Sequence, residues 1–576
     1  MSWLFEWLDA SSGRYWTVAW TCFGSLLVSV FTADGNPPAT AVALAPWRRR
    51  FAEPVVFAML TVLTLAAFRW PVWFAPAGIN PDEDQMLASA ITLRHFPIFW
   101  KYVDGTTHGP LNDYLLVATA WFGLPFNYLG ARLVATLLQA GALLCVWGML
   151  RRLAPERVGR LAILPGLCFW SFTTFHDFTQ YSSEHLAIAL VAGAAFAGTH
   201  ALTAVGSRRR QRWAFASCGL LAGMTPFAKL QLVPLAAFVV VCSALAAWWR
   251  ERRFSANLVR DWLALGAGGF AFPLLVTVCL AIYGLGGQFN LSYILANLRH
   301  VESGSLSFEE QPGKFLAFAF GTPGVGLLLA GSLAVALGCS WPGLTGGSLA
   351  ARARVVLAWI GMSVAVVCIV TPGRELTHYL QIFVVPCCAL VGVALASAWE
   401  AEPEIGRTTA RFPLVLFLAL TVVPPVVFRA TQLNENLGQM LDNRVRLVSP
   451  TGQFLRDHAK DGDTLTVWGW LPRLHVETQL PQGTRDSMSE RQLVDSPLRD
   501  AFRDRYLRDM QRRRPTWFVD SVGPTSFGFH SRPMEGYESF PALAALVRSD
   551  YVFVTEVDHV RIFRLHPMPP ASRDRR

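Results

Sequence analysis

What most constrains this chain is a recurring pattern: runs of about 20 apolar residues, nearly free of charge, separated by short arginine-rich clusters. The stretch "EPVVFAMLTVLTLAAFRWPVWF" (53–74) is representative. A helix rises about 1.5 Å per residue, so about 20 residues cross the roughly 30 Å hydrocarbon core of a bilayer. Such runs fill residues 15–430, whereas charge gathers in short loops and beyond residue 430. Of 576 residues, 53% are hydrophobic and 16% charged, where a soluble domain carries about a quarter charged. The sequence predicts a polytopic α-helical membrane protein with a polar C-terminal domain.

The formal net charge is +10, with only four lysines, Lys101, Lys229, Lys314 and Lys460. The arginines flank the apolar runs, as cytoplasmic anchors do under the positive-inside rule, so no nucleic-acid partner is expected. All ten cysteines lie in or beside apolar segments and none lies beyond Cys388, which leaves the C-terminal domain without a disulfide framework. The opening "MSWLFEWLDASSGRYW" lacks the basic region and small-residue cleavage site of a signal peptide.

Placing "WRRR" (47–50), "RRLAPERVGR" (151–160), "SRRRQR" (207–212) and "RERRF" (250–254) on the cytoplasmic side gives alternating spans. These fall at 53–74, 128–150, 158–175, 184–204, 213–228, 231–249, 261–283, 314–338, 354–371, 376–397 and 412–430, about 11–12 in all if residues 15–33 are included. Residues 15–33 are apolar enough to span, or to form a re-entrant or interfacial segment. The segment 107–126, bounded by Pro110 and Pro125, reads as a helix lying in the outer interface, since counting it as a span would reverse the 151–160 cluster. This order puts the loops 75–127 and 284–313 and the C-terminal domain outside. The expected domains are an N-terminal apolar segment with a cytoplasmic loop (1–52), a membrane domain (53–432) and an extracytoplasmic α/β domain (433–576). In that last domain 463–470, 515–522 and the two arms of 551–565 read as strands, and 496–514 as a helix.

The polar residues that interrupt this pattern are the functional candidates. Asp82, Glu83 and Asp84 stand consecutively in "GINPDEDQMLASA" (78–90). Asn80 and Pro81 make this a good helix start, and acids in a first turn need no chemical role. Lys229 sits inside an apolar stretch near a predicted outer hairpin turn, where an ionisable group suggests function and snorkelling is the competing explanation. Glu184 heads a span; Arg374 and His378 sit at another outer turn; Arg299, His300 and Glu302 lie in the 284–313 loop. Acids and bases thus gather at one membrane face. That suits a lipid-linked sugar phosphate, with its tail in the bilayer and its head at the outer surface. Lys229 and Arg374 would bind the phosphate, while a carboxylate deprotonates an acceptor hydroxyl or holds a metal.

The motifs "PDEDQMLASA", "YVD" (102–104), "THGPLNDYLL", Arg132-Leu133, Glu184, "HYLQIFVVP" (378–386) and "VWGWLPRLH" (467–475) follow one another in order. In this series the chain resembles the GT-C superfamily of integral-membrane glycosyltransferases, closest to its protein O-mannosyltransferase-like and aminoarabinose-transferase-like branch. The resemblance implies inverting transfer of a sugar from a polyprenyl-phosphate donor to a glycan, lipid or protein acceptor. It implies Asp82 as catalytic base or acceptor-orienting acid and Glu83 as a metal or acceptor ligand. Lys229 and Arg374 would take the phosphate, with His378, Asp104, Glu184 and Arg299 in the same substrate-binding set. A divalent metal (Mg, Mn or Zn) would be held by Glu83 and His108. His475 stands where the family has tyrosine, and Asp84 adds a third acid that leaves the choice of base open. The expected location is the plasma (inner) membrane, multi-pass, with the active face extracytoplasmic. Competing functions are a transporter or flippase of lipid-linked glycan, against which no duplicated halves are visible, and a catalytically silent assembly protein of the same fold.

Overall fold

Among the described residues, nine helices are long and apolar enough to cross a membrane: Pro54–Trp73, Tyr128–Leu150, Ser183–Thr203, Leu230–Glu251, Ala256–Tyr283, Val325–Thr345, Leu349–Val370, Thr377–Ala401 and Leu414–Thr431. The computed structural model describes Trp7 and residues 11–33, 46–75, 80–204, 206–302, 311–401, 411–431 and 448–566. Most of the opening segment, part of the 284–313 loop, the start of the expected C-terminal domain and the side chains of His300 and Glu302 lie outside them. Two further expected spans, Glu156–Phe172 and Arg208–Met224, are helices of 17 residues each, rising about 25 Å. Residues 15–33 form most of the helix Ser12–Phe31, which packs Trp16 and Trp20 on Phe68 and Phe172. The segment 107–126 holds a helix, Pro110–Ala120, of 11 residues, too short to cross at about 1.5 Å per residue.

One expected span is corrected. Residues 314–338 do not form a single helix: Gln311–Gly321 stops at Thr322-Pro323-Gly324, and the apolar helix runs Val325–Thr345. Pro323 has no N–H to continue the ladder, and Gly324 takes φ +81°, which a side chain would resist. Much of 284–302, expected as loop, is helical, including a π turn at Asn290–Leu295.

The described chain divides into two compact units, Met1–Ala75, Arg132–Ile282 and Leu298–Arg444 in the first, and Pro76–Ala131, Tyr283–Asn297 and Val445–Arg576 in the second. In the first, Arg208–Met224 meets Ala256–Tyr283 through glycines. A Cβ on Gly219 would stand 2.0 Å from Leu265 O, and one on Gly223 2.1 Å from Gly269 O. This small-xxx-small spacing lets backbones touch where no hydrophobic effect drives helices together. Arg160, from the cluster expected to anchor at the membrane surface, is instead buried. It donates to Ser29 O (2.8 Å) and Ala52 O (2.6 Å) and pairs with Glu156 (2.9 Å).

The second unit contains a four-stranded sheet in the order β1-β2-β4-β3, with β1 Leu465–Trp468, β2 Trp517–Asp520, β3 Tyr551–Val557 and β4 Val560–Leu565. β1 and β2 are parallel, and β4 runs antiparallel to both β2 and β3. Asp558 and His559 supply the two positive-φ positions of the β3–β4 hairpin turn. Both faces are covered. Trp468, Phe518 and Phe563 pack with the helices Arg499–Arg513 and Pro541–Asp550 on one side, and Leu465, Val467, Val519 and Ile562 pack with Leu455 and Leu474 on the other. The helix Pro81–His95 belongs to this unit, and Thr92 Oγ1 accepts the Gln482 N–H at 3.0 Å.

Candidate functional site

In the first unit the site is built at a helix break. Arg208–Met224 gives way to a 3-10 turn containing Pro226, and Leu230 starts the next span. Lys229, left in extended backbone between them (φ −153°), projects from the apex of this hairpin. It is 5% exposed. Its Nζ lies 3.0 Å from Glu184 Oε1, donates to Ser183 Oγ at 2.9 Å, and stands 5.4 Å from the centre of the Tyr379 ring. Cation–π attraction and a buried ion pair thus replace the water that the ammonium has lost.

Glu184 is placed by the N-terminus of Ser183–Thr203. Ser182 and His185 form a reciprocal capping box there, and the carboxylate lies in the first turn, where the helix dipole favours it. His185 Nδ1 accepts the Ser182 N–H (3.1 Å), so Nε2 carries the proton toward Gln381 Oε1 at 2.9 Å. Gln381 Nε2 donates to Asp177 O (3.2 Å), and Thr377 bonds the Asp177 carboxylate. His378 is buried, stacked edge-on with Tyr379 at 4.7 Å, and acts electrostatically on Glu184. Glu184 Oε2 is buried without a hydrogen-bond partner. Of the residues singled out in the sequence, Glu184, Lys229 and His378 therefore share one cluster. Arg374 is exposed in the turn that precedes His378, and Arg299 is exposed on the helix Ala296–Glu302.

In the second unit the three acids form a first helical turn. Asn80 caps it through the Asp82 N–H (3.0 Å), and Pro81 occupies the first position. Asp82 is half-buried, whereas Glu83 and Asp84 are buried. Asp84 Oδ1 accepts the Tyr128 hydroxyl at 2.6 Å. Asp104 is gripped by Arg505 Nη1 (2.7 Å), Arg491 Nη1 (3.3 Å) and the Thr106 N–H (2.9 Å). Burial raises its pKa, but Arg505 and Arg491 outweigh this and hold the carboxyl well below its usual range. Arg505 also binds Asp486 (2.6 Å), and Arg485 makes a two-pronged pair with Asp509 (2.8 Å on each prong).

His108 Nε2 lies 3.1 Å from both Asp113 oxygens. Burial pushes the Asp113 carboxyl up, opposed by His108. Among the described residues no group of three or more His, Cys, Asp and Glu side chains is arranged to hold a metal ion. His108 turns its Nε2 to Asp113 instead. His475 is fully buried, and its Nδ1 faces Leu480 O at 3.0 Å. Arg132 caps the Pro54–Trp73 helix, donating to Val72 O (3.0 Å) and Ala75 O (2.8 Å).

Sequence reasoning passed over Ser183, His185, Tyr379, Gln381 and Asp177, and the whole Arg485, Arg491 and Arg505 network. The series Ser182-x-x-His185 was the legible signal for the first group, being a cap written with an unusual partner. The arginines lie in a charged helix and loops that read as solvated surface.

No family model matches the chain, and no curated protein matches it in sequence. Solved structures do. ArnT from Cupriavidus metallidurans in the apo state is 16% identical, with a TM-score of 0.53 over 89% of this chain and 98% of that one. The same protein bound to undecaprenyl phosphate is 15% identical, with a TM-score of 0.51 over 88% and 97%. This chain has the GT-C fold. The Archaeoglobus fulgidus oligosaccharyltransferase in the apo form is more distant, at 13% identity and a TM-score of 0.41 over 81% of this chain and 69% of that one. The GT-C fold accounts for the membrane helices followed by a C-terminal sheet domain, in one polytopic chain.

Proposed function

We propose that this chain is a glycosyltransferase that moves a sugar from a polyprenyl-phosphate donor to an acceptor hydroxyl at the extracytoplasmic membrane face. The observation that carries the reading is Lys229, a buried ammonium at the apex of a membrane hairpin, paired with Glu184 and covered by Tyr379. Such a cation suits a group that must be stabilised, a phosphate gaining charge as it leaves. Undecaprenyl phosphate, a phosphate of this class, is bound by the similarly folded ArnT.

Lys229 binds the donor phosphate, with Arg374 as the second cation and His378 and Glu184 setting the field around them. Asp82, the most exposed of the three acids in its turn, takes the proton of the acceptor hydroxyl. The alkoxide oxygen forms the new bond to the anomeric carbon as the carbon–oxygen bond to phosphate breaks, so one displacement inverts the configuration. Glu83, buried beside Asp82, orients the acceptor. Asp104, held by Arg491 and Arg505, fixes the loop that follows the acid helix.

The test uses purified protein in lipid nanodiscs, a panel of polyprenyl-phosphate sugars and added divalent metal, with donor consumption as the readout. Asp82→Asn is expected to lower the rate by about 100-fold or more, with folding intact. No consumption of any donor, or wild-type rates in Asp82→Asn and Glu83→Gln alike, would overturn the proposal.

A further inference from the structure

Two arginines in the first unit carry charge that no carboxylate among the described residues balances. Arg69 lies one turn before the end of Pro54–Trp73, and Arg429 lies in the last turn of Val423–Thr431. Each is 2% exposed. Arg69 Nη2 donates to Phe178 O at 2.7 Å, and Arg429 stands 5.2 Å from the centre of the Trp16 ring. On both residues Nε and Nη1 are left without a partner.

The two side chains are neighbours. Tyr15 donates to Ala67 O at 2.8 Å on the Arg69 helix and lies beside Arg429, and the charge of Arg429 acts on Arg69. Two like charges in a low-dielectric interior repel and lack hydration. A helix C-terminus and one aromatic face answer only part of that need. What fits is an anion with several acceptor oxygens, because a guanidinium presents a fork of donors matched to phosphate.

An apolar cavity of about 590 Å³ is lined by residues that adjoin these two arginines. Phe428 in its wall precedes Arg429, and Phe172 in its wall packs on Phe68, next to Arg69, at 4.7 Å. His176 is the titratable group in the lining. Asp177 beside it is engaged by Thr377 and lies 3.5 Å from His176.

We propose that Arg69 and Arg429 bind the phosphate of a membrane lipid whose apolar chains occupy this cavity. The site is separate from the Lys229 cluster. The short helix His176–Thr179 stands between them, giving Asp177 O to Gln381 on one side and Phe178 O to Arg69 on the other. The proposal does not depend on a donor role for Lys229.

The test is native mass spectrometry of the full chain after delipidation in a non-ionic detergent, titrated separately with phosphatidylglycerol, with diacylglycerol and with inorganic phosphate. The wild type is expected to retain one phosphatidylglycerol and no diacylglycerol. The double variant R69Q/R429Q is expected to weaken retention at least tenfold, and Lys229→Met to leave it unchanged. Retention of phosphate without lipid would overturn the lipid assignment. Unchanged retention in R69Q/R429Q, or loss only in Lys229→Met, would overturn the site. If R69Q/R429Q does not fold, the wild-type comparison decides alone, and equal retention of diacylglycerol overturns the proposal.

Discussion

Lys229 and Arg505 are both buried cations facing carboxylates, yet their surroundings are opposite in kind. Arg505 grips Asp104 and Asp486 at once and also donates to Ser292 at 2.5 Å. Arg491 and Arg485 lock Asp104 and Asp509 in turn. Three arginines and three aspartates interlock, and planar forks hold their partners from several directions. Lys229 meets Glu184 at 3.0 Å, Ser183 Oγ at 2.9 Å and the Tyr379 ring, from the end of a flexible stem. A flexible ammonium can turn from Glu184 toward a phosphate, whereas Arg505 is held by two aspartates at once. How firmly a buried cation is gripped, rather than burial itself, separates the two.

The largest expected effect breaks the arginine–aspartate network. Arg505→Met strands two buried aspartates and should lower unfolding stability by about 3–5 kcal/mol, read as an early melting transition and protease cleavage near Asp104. The second tests the Lys229 cluster. Lys229→Met with Glu184→Gln removes both charges, so stability should change by less than about 1 kcal/mol, while sugar transfer falls by about 100- to 1,000-fold. A matched loss of stability would place Lys229 in the same structural class as Arg505.

The third concerns pH in the second unit. Burial pushes the His475 pKa down to about 4 from its model-peptide value of 6.5. The unfolded chain then binds the proton more tightly than the folded one, so stability is full above about pH 6.5 and is lost as pH falls toward 4. The loss is on the order of 2–3 kcal/mol. His475→Tyr should flatten that part of a stability-against-pH curve. Asp104, held low by its arginines, gives up stability only at still more acid pH, below its unfolded value near 4. The smallest effect is Tyr128→Phe, which removes one hydrogen bond to Asp84 and should cost about 1 kcal/mol by denaturant titration.

The membrane architecture was legible because hydrophobic length is a one-dimensional property. Pro54–Trp73 and Tyr128–Leu150 could be read directly from composition. The break at Pro323-Gly324 was missed because apolar residues continue on both sides of it, and hydropathy does not register a lost N–H. The strands β1 to β4 were visible from β-branched and aromatic runs between turn residues. Lys229 and Glu184 stood out as charges in apolar sequence. Arg505 did not, since in "RDAFRDRYLRDMQRRR" 10 of the 16 residues are charged, and only tertiary packing selects which one is buried. Arg69 was hidden for the opposite reason: one arginine near the end of a span reads as a surface anchor, and its missing partner is a three-dimensional fact.

The most direct test of a phosphate site at Lys229 is equilibrium binding of polyprenyl phosphate to the purified protein, comparing wild type with Lys229→Met and with Arg491→Lys. The account predicts at least tenfold weaker binding for Lys229→Met, about 1.4 kcal/mol, and wild-type binding for Arg491→Lys. Binding by Lys229→Met within twofold of wild type would contradict it.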